Sequence, residues 1–461
     1  MDGRKAVEEI HFRSQQNGQP GCLNHQLPLM RKFVLALLAT SVFIFAAAQQ
    51  DSALSFGFQT TSISQVHPQF HSPYVGDNSL EPKEPVRSTL TATLYFNLKL
   101  GKGTQIIFNP EVAGGEGFSG ATGLAGFSNG ESFRVGNPKP TVYLARLVVE
   151  QILPFKASDY SAQKTDSNLA PGYYPTHCFK VYGGRFCLAD YFDGNPYNHD
   201  PRGQFINWSF MSGGAWDYAA DTRGYTWGVG SEWRRKNWRA ALAFALMPRV
   251  ANGIDMDEDI SRSFALQTEA THLHKINKLP GQLQLTLFLN RAHMGSYREA
   301  LKTMPVNPDI TAVRSYKNYK GGFVLNAAQQ LSKNWGSFLR ASYNDGKNET
   351  WAYTEIDRSL NLGVVWSKSG FQKQNQLGVG VAINGISKPH RDYLAAGGYG
   401  FIIGDGKLNY ASEIITEAYY RFSFFQDRLQ VSPDYQFAVN PAYNKDRGPV
   451  HIFSLRTHVA F

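Results

Sequence analysis

No stretch of this chain holds the roughly 20 consecutive apolar residues that a membrane-spanning helix needs. The longest apolar run, residues 33–45, is too short. A mean hydropathy of −0.34 likewise excludes a helical membrane protein. It does not exclude a β-barrel, since half of each barrel strand faces water. Cysteine is scarce: Cys22, Cys178 and Cys187 are the three in the chain, too few for a disulfide scaffold. Cys178 and Cys187 lie in one strand-like segment, where nine residues of extended chain would separate them by roughly 30 Å and turn them to opposite faces. Unless Gly183-Gly184 makes a tight turn, they are expected to be free or buried thiols. The formal charge is +9, yet no run or helix concentrates it, so no nucleic-acid footprint is expected.

Chemical motifs are also missing. Asp255, Asp257 and Asp259 alternate as in a calcium loop, but Ile260 and Leu266 stand where an EF-hand needs Gly and Glu. Asn198-His199-Asp200 has no serine beside it in a nucleophile setting. The glycine clusters follow no strand-to-helix pattern of a nucleotide fold. No catalytic residue, metal or cofactor is assigned, and the chain is not expected to be an enzyme.

What is present begins at the two ends. Met30 is followed by Arg31-Lys32, the apolar run, and Ala46-Ala47-Ala48 before Gln49, the layout of a secretory signal peptide. The expected division is an upstream extension foreign to the native chain at 1–29, a signal peptide at 30–48, and one barrel domain at 49–461. At the other end Phe453, Leu455, Thr457, Val459 and Phe461 alternate with Ser454, Arg456 and His458. A strand with one greasy and one wet face, closing on an aromatic, is the ending of a Gram-negative outer-membrane barrel.

Apolar positions two apart divide the mature chain into about sixteen strands, an even number as a single-chain bacterial barrel requires. Tyr143, Leu147 and Val149 are taken as one lipid-facing set, and Tyr225, Trp227, Val229 and Trp233 as another. Connections alternate in length. Short ones near Lys102, 235–237, 333–334 and 426–428 suit periplasmic turns; long ones at 63–87, 113–140, 188–222, 294–320 and 386–414 suit extracellular loops. The segment 154–176 breaks the rule as a polar periplasmic insertion.

A closed sheet of this size is too wide to fill with side chains, so an aqueous channel is expected. By parity Lys99, Glu111, Arg146, Glu150, Lys180, Glu269, Arg340, Glu417, Arg421 and Arg456 point inward. Both signs occur, which favours neutral polar solutes over ions of one charge. The glycine-rich stretch 114–140 adds Glu131 and Arg134. The stretch 190–223 adds Trp208, Arg202, Asp217 and Asp221, and aromatic faces beside charges suit pyranose rings. The expected pore-lining or sugar-contacting residues are therefore Glu111, Glu131, Arg134, Arg146, Glu150, Arg202, Trp208, Asp217, Asp221, Arg340, Arg421 and Arg456. For most of the loop aromatics, packing or an interfacial girdle is the plainer alternative.

Several segments carry a resemblance. GDNSLEPKEPVRSTLTATLYFNLKLGKGTQIIFNPEVAGG (76–115), GLAGFSNGESFRVGNPKPTVYLARL (123–147), HDPRGQFINW (199–208), GAWDYAADTRGYTWG (214–228), YLAAGGYGFIIGDGKLNY (393–410) and NPAYNKDRGPV (440–450) resemble the carbohydrate-selective porins of the OprB type. The resemblance implies a sixteen-stranded, all-β transmembrane barrel with long extracellular loops folding into the pore, for passive uptake of sugars such as glucose. It gives no residue-level sugar site, and the two cysteines match no pattern in it. The expected partners are small saccharides, outer-membrane lipid and lipopolysaccharide, and the barrel-assembly machinery through Phe461. Porins of this size are often oligomers, so a homotrimer stays open. A general or anion-preferring diffusion porin is the second reading. A lipid-modifying barrel enzyme is a distant third, requiring a serine within reach of His199.

Overall fold

The computed structural model describes residues 53–461 other than 102, 157, 164–171 and 369–374. The expected signal peptide and upstream extension lie outside the described residues. Sixteen antiparallel strands close into a barrel in chain order. They are β1 (Leu54–Val66), β2 (Arg87–Lys99), β3 (Thr104–Gly115), β4 (Thr141–Pro154), β5 (Cys178–Phe186) and β6 (Thr226–Arg235). Next come β7 (Trp238–Ala245), β8 (Phe264–Ile276), β9 (Leu279–Arg291), β10 (Tyr319–Gln330) and β11 (Trp335–Asn344). The last are β12 (Arg358–Ser367), β13 (Gln376–Gly385), β14 (Glu413–Phe424), β15 (Leu429–Val439) and β16 (Val450–Ala460). Each segment expected from alternation forms one of them.

Alternation decides which side of the wall each residue joins. Along β9, Leu283, Leu285, Leu287 and Leu289 are exposed on the outside, while Gln284, Thr286 and Asn290 are buried inside. An outward surface this apolar is stable in lipid and would aggregate in water. Closure comes from β1 against β16, from Gln59 opposite Ala460 to Val66 opposite Phe453. The terminal residue takes part: the Phe58 amide donates to the Phe461 carbonyl at 3.1 Å, and the Phe461 amide returns a bond to Phe58 at 2.9 Å. With no open edge, every strand finds its ladder partner, which a lipid environment requires.

Short turns gather at one end and long connections at the other. The exception at the short-turn end is the β4–β5 connection, which carries a small hairpin of Tyr160–Gln163 with Gly172–Pro175. The long connections carry three short helices, α1 (Trp208–Met211), α2 (Tyr297–Thr303) and α3 (Lys388–Ala395), of which α2 and α3 pack on each other and α1 meets β12 and β13.

Two expected lipid-facing residues are turned inward. The β3–β4 register shifts between Asn109 and Pro110. Pro110 has no amide to give the ladder, and the extra residue at this bulge reverses parity beyond it. Tyr143 therefore faces the lumen and donates its hydroxyl to Glu111. Tyr225 stands just before β6, is buried, and donates to the same carboxylate at 3.3 Å.

Cys178 and Cys187 are both free. Burial pushes the Cys187 thiol up to about 12, and neighbouring Asp190 adds to the shift. The folded barrel should therefore react slowly with iodoacetamide at neutral pH, because the thiolate is the nucleophile. Unfolded without reductant, the chain should take label at both cysteines. A single modified peptide, or none, by mass spectrometry would contradict the unbridged assignment.

Candidate functional site

The lumen is filled on one side by the segment 187–225, which runs inside the barrel between β5 and β6. Such a segment brings unpaired amides and carbonyls into a confined space, and each must find a partner. The wall supplies them. Arg340 of β11 donates to the Asn198 carbonyl at 2.6 Å, the Phe210 carbonyl at 2.7 Å and the Asp193 carbonyl at 2.9 Å, and pairs with the Asp193 carboxylate at 2.9 Å. Glu269 of β8 accepts from the Asp193 amide at 2.6 Å. Glu417 of β14 accepts from the amides of Ile206 and Asn207. Arg456 of β16 donates to the Pro201 carbonyl at 2.7 Å, and Arg421 of β14 to that of Gly203 at 3.2 Å. Asn326 and Asn361 bond further carbonyls of the same segment.

Packing completes the fit. Phe205 of the plug stacks on Phe210 at 4.9 Å between ring centres and meets Tyr419 of the wall edge-on at 5.0 Å. The wall is hollowed for these rings. A Cβ on Gly336 would lie 2.2 Å from the Tyr197 ring, so only glycine admits it. Within the plug, the Asn207 side chain caps α1 by accepting from the Ser209 amide.

These bonds fix the plug backbone to the wall of β8 to β16, and space remains on the side of β1 to β4. There lies a cavity of about 270 Å³. Tyr95, Glu111, Tyr143 and Arg146 border it from the wall, and Glu131 and Phe133 from the segment 116–140. Asp190, Arg202, Trp208, Arg223 and Tyr225 border it from the plug. Its charges are largely paired internally. Arg146 grips Asp190 with two bonds of 2.7 and 2.6 Å. Arg202 bridges Glu131 at 3.0 Å and Glu111 at 3.1 Å. Burial opposes the Arg202 charge, but Glu131 and Glu111 outweigh it and hold the guanidinium's pKa well above its ordinary value. Arg223 differs from both. Its guanidinium lies 4.4 Å over the Tyr143 ring and 4.9 Å over Phe133, and its buried Nη1 has no hydrogen-bond partner among the described residues.

Of the residues expected from sequence, the structure brings Glu111, Glu131, Arg146, Arg202 and Trp208 together on this cavity. The others have different surroundings. Arg340, Arg421 and Arg456 point inward as parity requires, but are bonded to the plug. Asp217 is buried, accepting from the amides of Trp351 and Ala352 at 2.9 and 2.7 Å. Asp221 pairs with Arg185 at 2.5 Å. Arg134 donates to the Phe401 carbonyl at 2.9 Å. Glu150 accepts from Tyr191 at 2.8 Å and Gln105 at 2.6 Å, on the short-turn side of the cavity. Sequence reasoning missed Tyr95, Tyr143, Tyr225, Asp190 and Arg223 as lining residues. Pro110 inside a strand was the available signal for Tyr143, since proline within a sheet marks an edge or a bulge.

The segment 116–140 has its own tether. Glu84 accepts from the Ser119 amide at 2.9 Å and its hydroxyl at 2.6 Å, and pairs with Arg87 at 3.1 Å.

Residues 77–461 match the model of a family described as carbohydrate-selective porin, OprB family. No curated protein sequence matches. Among solved structures, the high-pH structure of Pseudomonas putida OprB is similar at a TM-score of 0.64 and 16% identity, over 89% of this chain and 94% of that one. The outer membrane channel DcaP of Acinetobacter baumannii aligns at a TM-score of 0.46 and 9% identity, over 90% of this chain and all of that one. At 16% identity the likeness to the Pseudomonas putida protein is one of fold.

Two consequences are measurable. Arg340→Ala strands the buried Asp193 carboxylate and should cost roughly 3–5 kcal/mol, seen as a lower denaturant midpoint of the refolded barrel and a noisier open channel. Glu84 gives a pH dependence. Burial opposes its ionisation, but His67 at 3.9 Å and the hydrogen bonds from Ser119 and Arg87 prevail and hold its pKa down at about 2. The tether is therefore complete above the unfolded value of about 4.3 and is lost as pH falls from there toward 2. Open-channel noise should rise over that interval, and Glu84→Gln should show the raised noise already at pH 6. A quiet Glu84→Gln channel at pH 6 would remove Glu84 from this role.

Proposed function

The chain belongs to the OprB family of carbohydrate-selective porins, and on that premise we propose that it passes small neutral saccharides, glucose among them, by passive diffusion across a Gram-negative outer membrane. In this reading the long-loop end faces the cell exterior and the short-turn end the periplasm. Phe461 would present the C-terminal signal to the assembly machinery, and lipopolysaccharide would surround the outer half of the barrel. The observation that carries the substrate class is the internal pairing of charge in the cavity. Arg146 with Asp190, and Arg202 with Glu131 and Glu111, leave little net charge to attract ions. Tyr95, Tyr143, Tyr225 and Trp208 line the same space, beside an Arg223 guanidinium that has no carboxylate partner. Ring faces with hydrogen-bonding edges match the C–H faces and hydroxyls of a pyranose.

The anion-preferring reading has one observation in its favour, the Arg223 guanidinium without a carboxylate partner in the cavity. The two readings separate in liposomes. Swelling should be faster with glucose than with amino acids of similar mass or with charged sugars, and Arg223→Ala should weaken sugar block of the ion current by about tenfold, the worth of one charged hydrogen bond. Rates ordered by solute size alone, with anions leaking fastest and slowed by Arg223→Ala, would favour the general or anion-preferring porin.

A further inference from the structure

Five successive short turns each expose a cation. They are Lys236 between β6 and β7, Lys278 between β8 and β9, Lys333 between β10 and β11, Lys368 after β12, and Arg428 between β14 and β15. Among the described residues of these turns Asp427 is the one acid, and it accepts a bond from the Ser423 hydroxyl at 2.6 Å. A cation at one turn is a solvated surface residue. A row of them along one rim of a membrane barrel stands where lipid headgroups begin.

The row is sharpest at β11 and β12. Trp335 and Trp366 are directly opposite one another in the ladder. Trp335 is 42% exposed, and its neighbour Gly336 and Val365 beside Trp366 point into the barrel, so both indoles stand on the outer wall. Lys333 lies two residues before Trp335 and Lys368 two residues beyond Trp366, roughly 7 Å further along the strands. The turns carrying them are joined by the Ser367 amide donating to the Asn334 carbonyl at 2.8 Å. Neither ammonium group has an ion pair or hydrogen bond to a described residue, and both lysines are exposed, the Lys368 amide alone donating to the Asn375 carbonyl at 3.2 Å. Toward the middle of the barrel the same outer face continues as Leu339, Leu362 and Val364, each more than a third exposed.

We propose that Lys333, Lys368, Trp335 and Trp366 form a binding site for an anionic phospholipid of the periplasmic leaflet. The two ammonium groups would meet the phosphodiester, the indoles would lie at the glycerol level, and the acyl chains would run over Leu339, Leu362 and Val364. This is the arrangement in which tryptophan and lysine are individually favourable, at the interface and just outside it. The choice of an anionic headgroup rests on the lack of a carboxylate among the described residues around the two lysines. It also rests on the proposed orientation, with short turns toward the periplasm, but not on the sugar reading.

The test uses the full mature barrel in detergent, with dioleoyl phosphatidylglycerol as probe and dioleoyl phosphatidylcholine and inorganic phosphate as controls. By native mass spectrometry phosphatidylglycerol should remain bound at low stoichiometry, phosphatidylcholine should not, and millimolar phosphate should not displace it. Lys333→Gln/Lys368→Gln should weaken retention by about 30-fold, taking two charges at the value expected for a lysine at an anionic surface. Trp335→Leu/Trp366→Leu should weaken it while leaving both charges in place. Heat-modifiable mobility reports that each variant is folded, and sugar swelling should be unchanged in all of them. Equal retention of the two lipids, or retention unaffected by the lysine changes in folded protein, overturns the site. Displacement by phosphate would make it an anion site without lipid selectivity, which also overturns it. Loss of swelling selectivity in the wild type would strike the sugar reading and leave this one standing.

Discussion

The interior of this barrel depends on pairing the backbone of an inserted segment with charged side chains of the wall. A connection like 187–225 has almost no ladder of its own, since α1 accounts for only Trp208–Met211. Left in solution it would be hydrated, and pressed against an apolar wall it would lose that hydration without compensation. The wall is not apolar. Arg340 satisfies three carbonyls, while Glu269 and Glu417 satisfy amides from the same segment. Charges that would be expensive to bury alone become acceptable because each is shared among several oriented dipoles.

The position of the cavity follows from where these bonds are. The bonds to its backbone come from β7 to β16, whereas β3 and β4 meet the plug through side chains such as Arg146 with Asp190 and Glu111 with Arg202, and the free space lies on that side. The bulge at Pro110 then turns Tyr143 into this space, and Tyr225 enters from the plug to share Glu111 with it. The neutral, aromatic character of the cavity is thus a joint product of wall and plug. Arg202 shows it most directly, reaching from the plug to Glu111 on the wall and Glu131 on the segment 116–140.

Much of the fold was legible because barrel strands obey a period of two that no packing event disturbs. Leu283 to Leu289 and the terminal run declare their outer face without reference to any other residue. The direction of Arg340, Glu417, Arg421 and Arg456 was legible for the same reason. Their surroundings were not. Parity says that an arginine points inward; only the path of 187–225 says whether it meets water or a carbonyl there. Tyr143 failed for a local reason, one extra residue, Ala145, in β4 opposite the Asn109–Pro110 step. Arg223 had no visible signal, because its importance arises from having no carboxylate partner while its neighbours have one.

The anchored plug also bears on how the channel responds to an electric field. A gate that swings under voltage needs net charge on a part free to move, since the field does work of about 2.3 kcal/mol per elementary charge per 100 mV. Here Asp193 on the plug is bound to Arg340 on the wall at 2.9 Å, so their charges cancel and their positions are shared. A transmembrane potential that pulls on Asp193 pulls against Arg340. Movement of the plug under voltage would first have to break this pair.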